Sequence, residues 1–341
     1  TRFYFYIIKC KKTMNKSLAY ITRRLGFYLI AAFAALTLNF IIPRLMPGDP
    51  ASIIFARFKG KMNPEAINAM RQSFGLTNDP ILIQYWSYLK GIFKGDLGTS
   101  IAYFPEPVSS VIGNGLLWTI FLAGLSLIIA FSIGTTLGVF IAWNRTGKLD
   151  TFLPPTLAFF GALPYFWLAM VFLYIFGFSL NWFPLGRAFG NQVIPGFNFT
   201  YLLSVLYHAI LPAFTLIFVS IGGWMLSMRN TMISTLGSDY ITFANAKGIP
   251  PRLIMLRYAA RNAILPNLTG FGMALGFVLS GALLTEMIFS YPGQGFLLLQ
   301  AVQSQDFPLM QGIFMTITFA VLGANWLVDI AILFFDPRTR K

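Results

Sequence analysis

One cysteine and one histidine occur in 341 residues. Cys10 alone excludes a disulfide framework and a thiolate metal cluster, and His208 alone excludes a multi-histidine metal site. Charge is scarce too. Charged side chains make up 11% of the chain, against roughly 25% in soluble domains. Acidic residues are the scarcest, 11 against 25 lysines and arginines. No G-x-x-x-x-G-K-[ST] stretch is present, so the chain cannot bind ATP through a phosphate loop. With His208 isolated between an aromatic loop and an apolar run, no Ser/His/Asp constellation is available for catalysis, and His208 reads as an interfacial residue.

What the chain has instead is apolar length. It is 56% hydrophobic, and several runs of about 20 residues carry few or no charges, enough to cross a bilayer as helices. Barrel strands would alternate over about ten residues. The expected fold is all-α and integral to the membrane. Six spans are expected: 25–43, about 116–143, 152–178, 209–228, 268–289 and 310–335. Pro154, Pro155 and Pro164 in the third are tolerable kinks where neighbouring helices satisfy the backbone.

The net charge of +14 fits this class without nucleic acid as a partner, because basic residues collect in cytoplasmic loops. With the N-terminus inside, Lys9, Lys11, Lys12, Arg23 and Arg24 lie in a cytoplasmic arm, residues 1–24. Arg145 and Lys148 fall in the loop between spans two and three. Arg229, Lys247, Arg252, Arg257 and Arg261 fall in the loop between spans four and five, and Arg338, Arg340 and Lys341 in a cytoplasmic tail, 336–341. The short outer loops carry only Arg187. Residues 44–114 form an extracytoplasmic insertion after the first span, and 115–335 a core domain containing spans two to six and the cytoplasmic loop 229–262. Met14 reads as a natural start preceded by a 13-residue extension, and the first span as an uncleaved anchor, since PRLMPGDP lacks an A-x-A pattern.

Within the insertion, Asn63, Pro64 and Glu65 predict the start of a short soluble helix. ILIQYWSYLKGIFK places apolar residues at helical spacing, with Tyr85, Trp86 and Tyr88 suited to a helix near the membrane interface. Inside the spans the carboxylates are few. Glu286 lies near the outer end of the fifth and Asp329 about two turns from the inner end of the sixth. Intramembrane carboxylates are functional candidates by default, so Glu286, Asp329 and Ser280 are candidates for a translocation path or its gate. Pairing or capping is the alternative for the two carboxylates. Gly134/Gly138 and Gly272/Gly276 permit close helix approach, within the chain or between subunits.

The loop 229–262 carries the most information. Arg229 ends the fourth span, where its guanidinium can snorkel to headgroups. Ser238 or Asp239 can cap a short helix, DYITFANAK, closed by Gly248 and followed by Pro250-Pro251. Tyr240, Ile241, Ala244 and Ala246 lie on or near one side of it, and the small residues would let a partner's groove close on the backbone. A loop resting on headgroups without a partner is the alternative.

Here the chain resembles the inner-membrane permease subunits of ATP-binding-cassette importers, in the dipeptide/oligopeptide/nickel branch, and most the first of its two permeases. The matching stretches are PGDP (47–50), QYWSYLKGIFKGDLGTS (84–100), LPYFWLA (163–169), DYITFANAKG (239–248), RNAILP (261–266), EMIFSYPGQG (286–295) and DPR (336–338). The general importer pattern EAA-x3-G is kept only at Ala244 and Gly248, with Thr242 and Phe243 departing from it as in the peptide branch. The resemblance implies a type I importer fold. It implies that Asp239, Tyr240, Ala244, Ala246, Lys247, Gly248 and Arg252 form a coupling region for a separate ATPase. It also implies a second homologous permease, two ATPase subunits that bind the ATP and Mg, and an extracytoplasmic binding protein. No cofactor and no enzymatic activity are expected in this chain. A stand-alone secondary transporter would want midplane charges and inverted repeats, and a membrane enzyme a catalytic constellation. The sequence offers little of the first and none of the second.

Overall fold

The computed structural model describes residues 2–46, 79–278 and 283–335. All of the regular structure described is helical, and the one bridge, Thr99 to Pro107, is isolated. The helices are α1 (Arg2–Arg44), α2 (Ile81–Lys94) and α3 (Val108–Trp143), which contains a π-helical turn at Ile120–Gly124. There follow α4 (Lys148–Ala162), α5 (Tyr165–Ser179), α6 (Phe199–Leu236) and α7 (Asp239–Ala246). The segment 251–263 is helical with a π turn at Ile254–Ala260, and leads into α8 (Leu265–Val278), α9 (Leu283–Ile288), α10 (Gln294–Gln303) and α11 (Phe307–Phe335). The expected cap at Asn63 and the PGDP and DPR stretches lie outside the described residues.

Among the described residues, four helices are long and apolar enough to span a membrane: Thr22–Arg44 of α1, α3, α6 and Phe307–Leu327 of α11. The pair α4–α5 is apolar enough only when taken together, and its 97° bend makes it a broken span or a re-entrant loop. The expected fifth span, 268–289, is described as α8 and α9, with 279–282 outside the described residues. The bend corrects the expectation of kinks throughout the third span. Pro154 and Pro155 sit inside α4 without ending it. The break falls at Leu163, with ψ 144°, before Pro164, because a proline ring pushes the preceding residue out of the helical region. α3 and α6 also begin earlier than expected, at Val108 and Phe199, the latter where the Asn198 side chain accepts from the Tyr201 N–H at 2.7 Å.

The chain forms two compact units. In the first, residues 1–117 and 296–341, α1 packs along α11, and Val108, Ile112, Leu309 and Ile313 make a buried core. Asp306 caps α11 through the Leu309 N–H at 3.0 Å and receives the Ser100 hydroxyl and the Ala102 N–H. Burial pushes its carboxyl above the usual carboxylate range, and those three donors pull against it. α2 sits on α1: Tyr85 Oη and Thr37 Oγ1 are 2.7 Å apart, and the Tyr85 and Tyr88 rings lie 5.1 and 5.5 Å from Phe40. Tyr85 and Tyr88 therefore face α1, and of the three aromatics only Trp86 turns outward.

In the second unit, residues 118–295, α3 and α6 form the most extensive helix pair. A Cβ on Gly134 or Gly138 would lie 2.7 Å from the Cβ of Trp224 or Met228. This glycine pair thus serves packing within the chain, one of the two roles its spacing allowed. His208 Nδ1 is 2.8 Å from the Ser204 carbonyl.

Candidate functional site

α7 is eight residues long and is held by a single buried cluster. Ile241 and Ala244 are buried against Met228 and Met232 of α6, with Ile254, Met255 and Ala259 from 251–263 closing the same cluster. At its C-terminus the Gly248 N–H donates to the Asn245 carbonyl at 2.9 Å and the Ile249 N–H to the Ala244 carbonyl at 3.3 Å. This is the paired closure that needs a left-handed residue. Gly248 supplies it with φ +72°, and Ile249 packs beside the cluster. At the N-terminus Ser238 occupies the capping position, but its side chain makes no capping bond. Asp239 lies in the first turn, where a carboxylate meets the positive end of the helix dipole. The expected side-chain cap is therefore absent, and α7 is stabilised by its seat and its C-terminal closure.

The partner-facing surface also differs from expectation. Ala244 is turned into the chain's own core, because on eight residues the apolar set splits between two faces. Its small size lets α7 settle on the methionines of α6. Asp239, Tyr240, Ala246, Lys247, Gly248 and Arg252 remain exposed. Asn262 Nδ2 donates to Tyr240 Oη at 3.2 Å. Phe243, which the sequence marked only as a departure from the importer pattern, is 62% exposed, with Lys247 Nζ 4.7 Å from its ring centroid. The outward surface of α7 is thus an aromatic ring beneath an ammonium, flanked by small residues, on a rigid base.

Arg229 does not snorkel. Its Nε donates to Asp150 Oδ1 at 2.6 Å, with the two side chains 23% and 10% exposed, tying α6 to the first turn of α4. Asp150 and Asp306 are anchors that went unread in the sequence. Their signals were weak: an acid in the first turn after Gly147, and an acid two residues before Pro308.

Glu286 is fully buried. Its carboxylate accepts from the Thr119 hydroxyl at 2.8 Å and from the Gly295 N–H at 2.7 Å, while Thr119 Oγ1 accepts from the Gln294 N–H at 2.8 Å. The carboxylate thus ties α3 to the first turn of α10. Asp329 takes the Tyr28 hydroxyl at 2.6 Å and lies 3.3 Å from Arg24 Nη1, linking α11 to α1. Glu286 belongs to the second unit and Asp329 to the first. Ser280 lies outside the described residues.

Residues 134–341 match the family described as binding-protein-dependent transport system inner membrane component, and residues 17–120 match its N-terminal domain. The chain belongs to this family. It is a permease subunit with the type I ABC importer membrane fold, multi-pass in an inner membrane. Among curated relatives, the permease is 35% identical to a probable D,D-dipeptide transport system permease protein of Escherichia coli, over 92% of this chain and 94% of that one. It is 34% identical to a dipeptide transport system permease protein of Alkalihalophilus pseudofirmus, over 95% and 99%. It is 32% identical to an oligopeptide transport system permease protein of Bacillus subtilis, over 94% and 98%.

Proposed function

We propose that the permease forms half of a translocation path for di- or oligopeptides and is driven by a separate ATPase that docks on α7. The observation that carries the coupling role is the division of α7 into a locked face and a free one. Ile241 and Ala244 fix it to α6, and Phe243, Ala246 and Lys247 point away. A handle that transmits force must be rigid toward its own molecule and open toward the other. The peptide substrate is supported by the names of the relatives. The same importer type moving a nickel chelate, glutathione or an oligosaccharide is the alternative, since selectivity belongs largely to the binding protein.

In this reading the termini and α7 are cytoplasmic, as the lysine and arginine distribution supports. A second, homologous permease completes the path across the bilayer, and an extracytoplasmic binding protein delivers the substrate. Two ATPase subunits bind the ATP and Mg and carry out the hydrolysis, and this chain catalyses no reaction. Closure of the ATPases draws the two coupling helices together and biases the helix bundles between inward- and outward-facing packings.

Reconstitution with the cognate ATPase tests this. Uptake into vesicles is expected only with the ATPase present, and uptake by the permeases alone would sink the reading. Phe243→Glu and Ala246→Glu are expected to abolish ATPase pull-down with melting unchanged. A stabilisation screen of the cognate binding protein against peptides, nickel chelates, glutathione and oligosaccharides tests the substrate.

A further inference from the structure

α2 is held by one face only. Tyr85, Tyr88 and Gln84 engage Thr37, Phe40 and Arg44 of α1, with Gln84 Oε1 3.3 Å from Arg44 Nη2. At 3.6 residues per turn, Leu82, Trp86 and Phe93 fall on the far side in a strip about 40° wide. They are 76%, 60% and 88% exposed, and no residue of α2 is buried. Lys90 and Lys94 border the strip on one edge, with Lys90 Nζ 5.7 Å from the Trp86 ring centroid.

The position of α2 identifies what covers this strip. Thr37, Phe40 and Arg44 are the last two turns of the span Thr22–Arg44, about 10 Å of helix. α2 therefore lies beside the end of a membrane-crossing helix rather than beyond it. That depth is the headgroup and outer acyl zone, where interfacial helices bury an apolar face by roughly 5–10 Å. A strip pointing away from the span at that level meets lipid. The two lysines at its edge match phosphate groups in sign and reach.

We propose that α2 is a lipid anchor, with Leu82, Trp86 and Phe93 in the acyl region and Lys90 and Lys94 on the headgroup phosphates of anionic phospholipid. Because Cys10 is the only cysteine, a Cys10→Ser chain accepts single spin labels. In nanodiscs of phosphatidylethanolamine and phosphatidylglycerol, labels at Leu82→Cys, Trp86→Cys and Phe93→Cys are expected to collide with oxygen several-fold more than with a water-soluble nickel chelate, and a label at Ser87→Cys the reverse. Nickel-dominated collisions at all three strip positions, or exclusion of both reagents as under a protein partner, would overturn the proposal. The unlabelled wild-type chain gives an independent check. Phosphatidylglycerol with a diazirine in its acyl chain is expected to label residues 81–94, and Lys90→Glu with Lys94→Glu to reduce that labelling several-fold. Absence of label in this segment, or equal labelling of the charge-reversed chain, would count against it.

Discussion

Glu286 is enclosed by glycines that leave no room for a side chain. A Cβ on Gly293 would lie 2.4 Å from the Glu286 carboxyl carbon, and one on Gly295 would lie 2.6 Å from the Leu283 Cα. Gly293→Ala must therefore displace the carboxylate or the turn, and overpacking of this kind costs about 1–3 kcal/mol. A fall in the melting temperature of the purified permease is the expected readout. Glu286→Gln keeps the volume but turns an amide NH2 toward either the Thr119 hydroxyl or the Gly295 N–H. One buried donor then loses its acceptor, at about 1–3 kcal/mol. If Glu286 acts as a tie, melting falls and substrate preference is unchanged. Unchanged melting with altered preference would instead assign it to the path. At Arg229 and Asp150 the prediction is a coupling. Arg229→Met or Asp150→Ala alone leaves a largely buried charge unpaired and costs about 1.5–3 kcal/mol. The double variant is expected to cost less than the sum, as a double-mutant cycle on melting would measure.

At the scale of elements, the contact between α3 and α6 depends on two missing side chains. Gly138→Leu would meet the Met225 carbonyl oxygen 2.6 Å from its Cβ, and neither backbone can retreat without opening the pair. Loss of monodisperse protein in size exclusion is expected. Gly223→Ala, on the open side of α6 with nothing within 4 Å of its Cβ, should be neutral or stabilise by up to about 1 kcal/mol. α7 is subject to a different constraint. Space around Gly248 is open, so only its left-handed backbone is demanded, and Gly248→Asn should retain ATPase pull-down far better than Gly248→Val. Much of this level was legible in the sequence. Apolar runs gave the membrane class, and the polar island 239–248 gave a short helix closed by glycine. What was not legible depended on contacts distant along the chain. Arg229 finds its partner 79 residues away, and nothing local distinguishes that from a headgroup. The inward turn of Ala244 depends on methionines of another helix.

For the whole molecule, the proposed orientation makes an accessibility prediction. In the Cys10→Ser chain, a cysteine at Asn245 is expected to react with an impermeant maleimide only from the cytoplasmic side, and one at Glu106 only from the other. Reaction of both from one side would overturn the assigned topology. The same arrangement bears on how force travels. α7 is seated near the C-terminal end of α6, whose 38 residues extend about 57 Å. The tight passage of Gly134 and Gly138 lies nearer that end than the other, against Ile221 to Arg229. If it serves as a fulcrum at about Met225, α6 is a lever with arms of about 16 and 39 Å. A shift of about 1 Å at Leu236 then becomes more than about 2 Å at Phe199. Spin-label distances measured at Leu236 and Phe199 across the ATP cycle would read that amplification, and equal shifts at both ends would show that α6 translates instead of tilting.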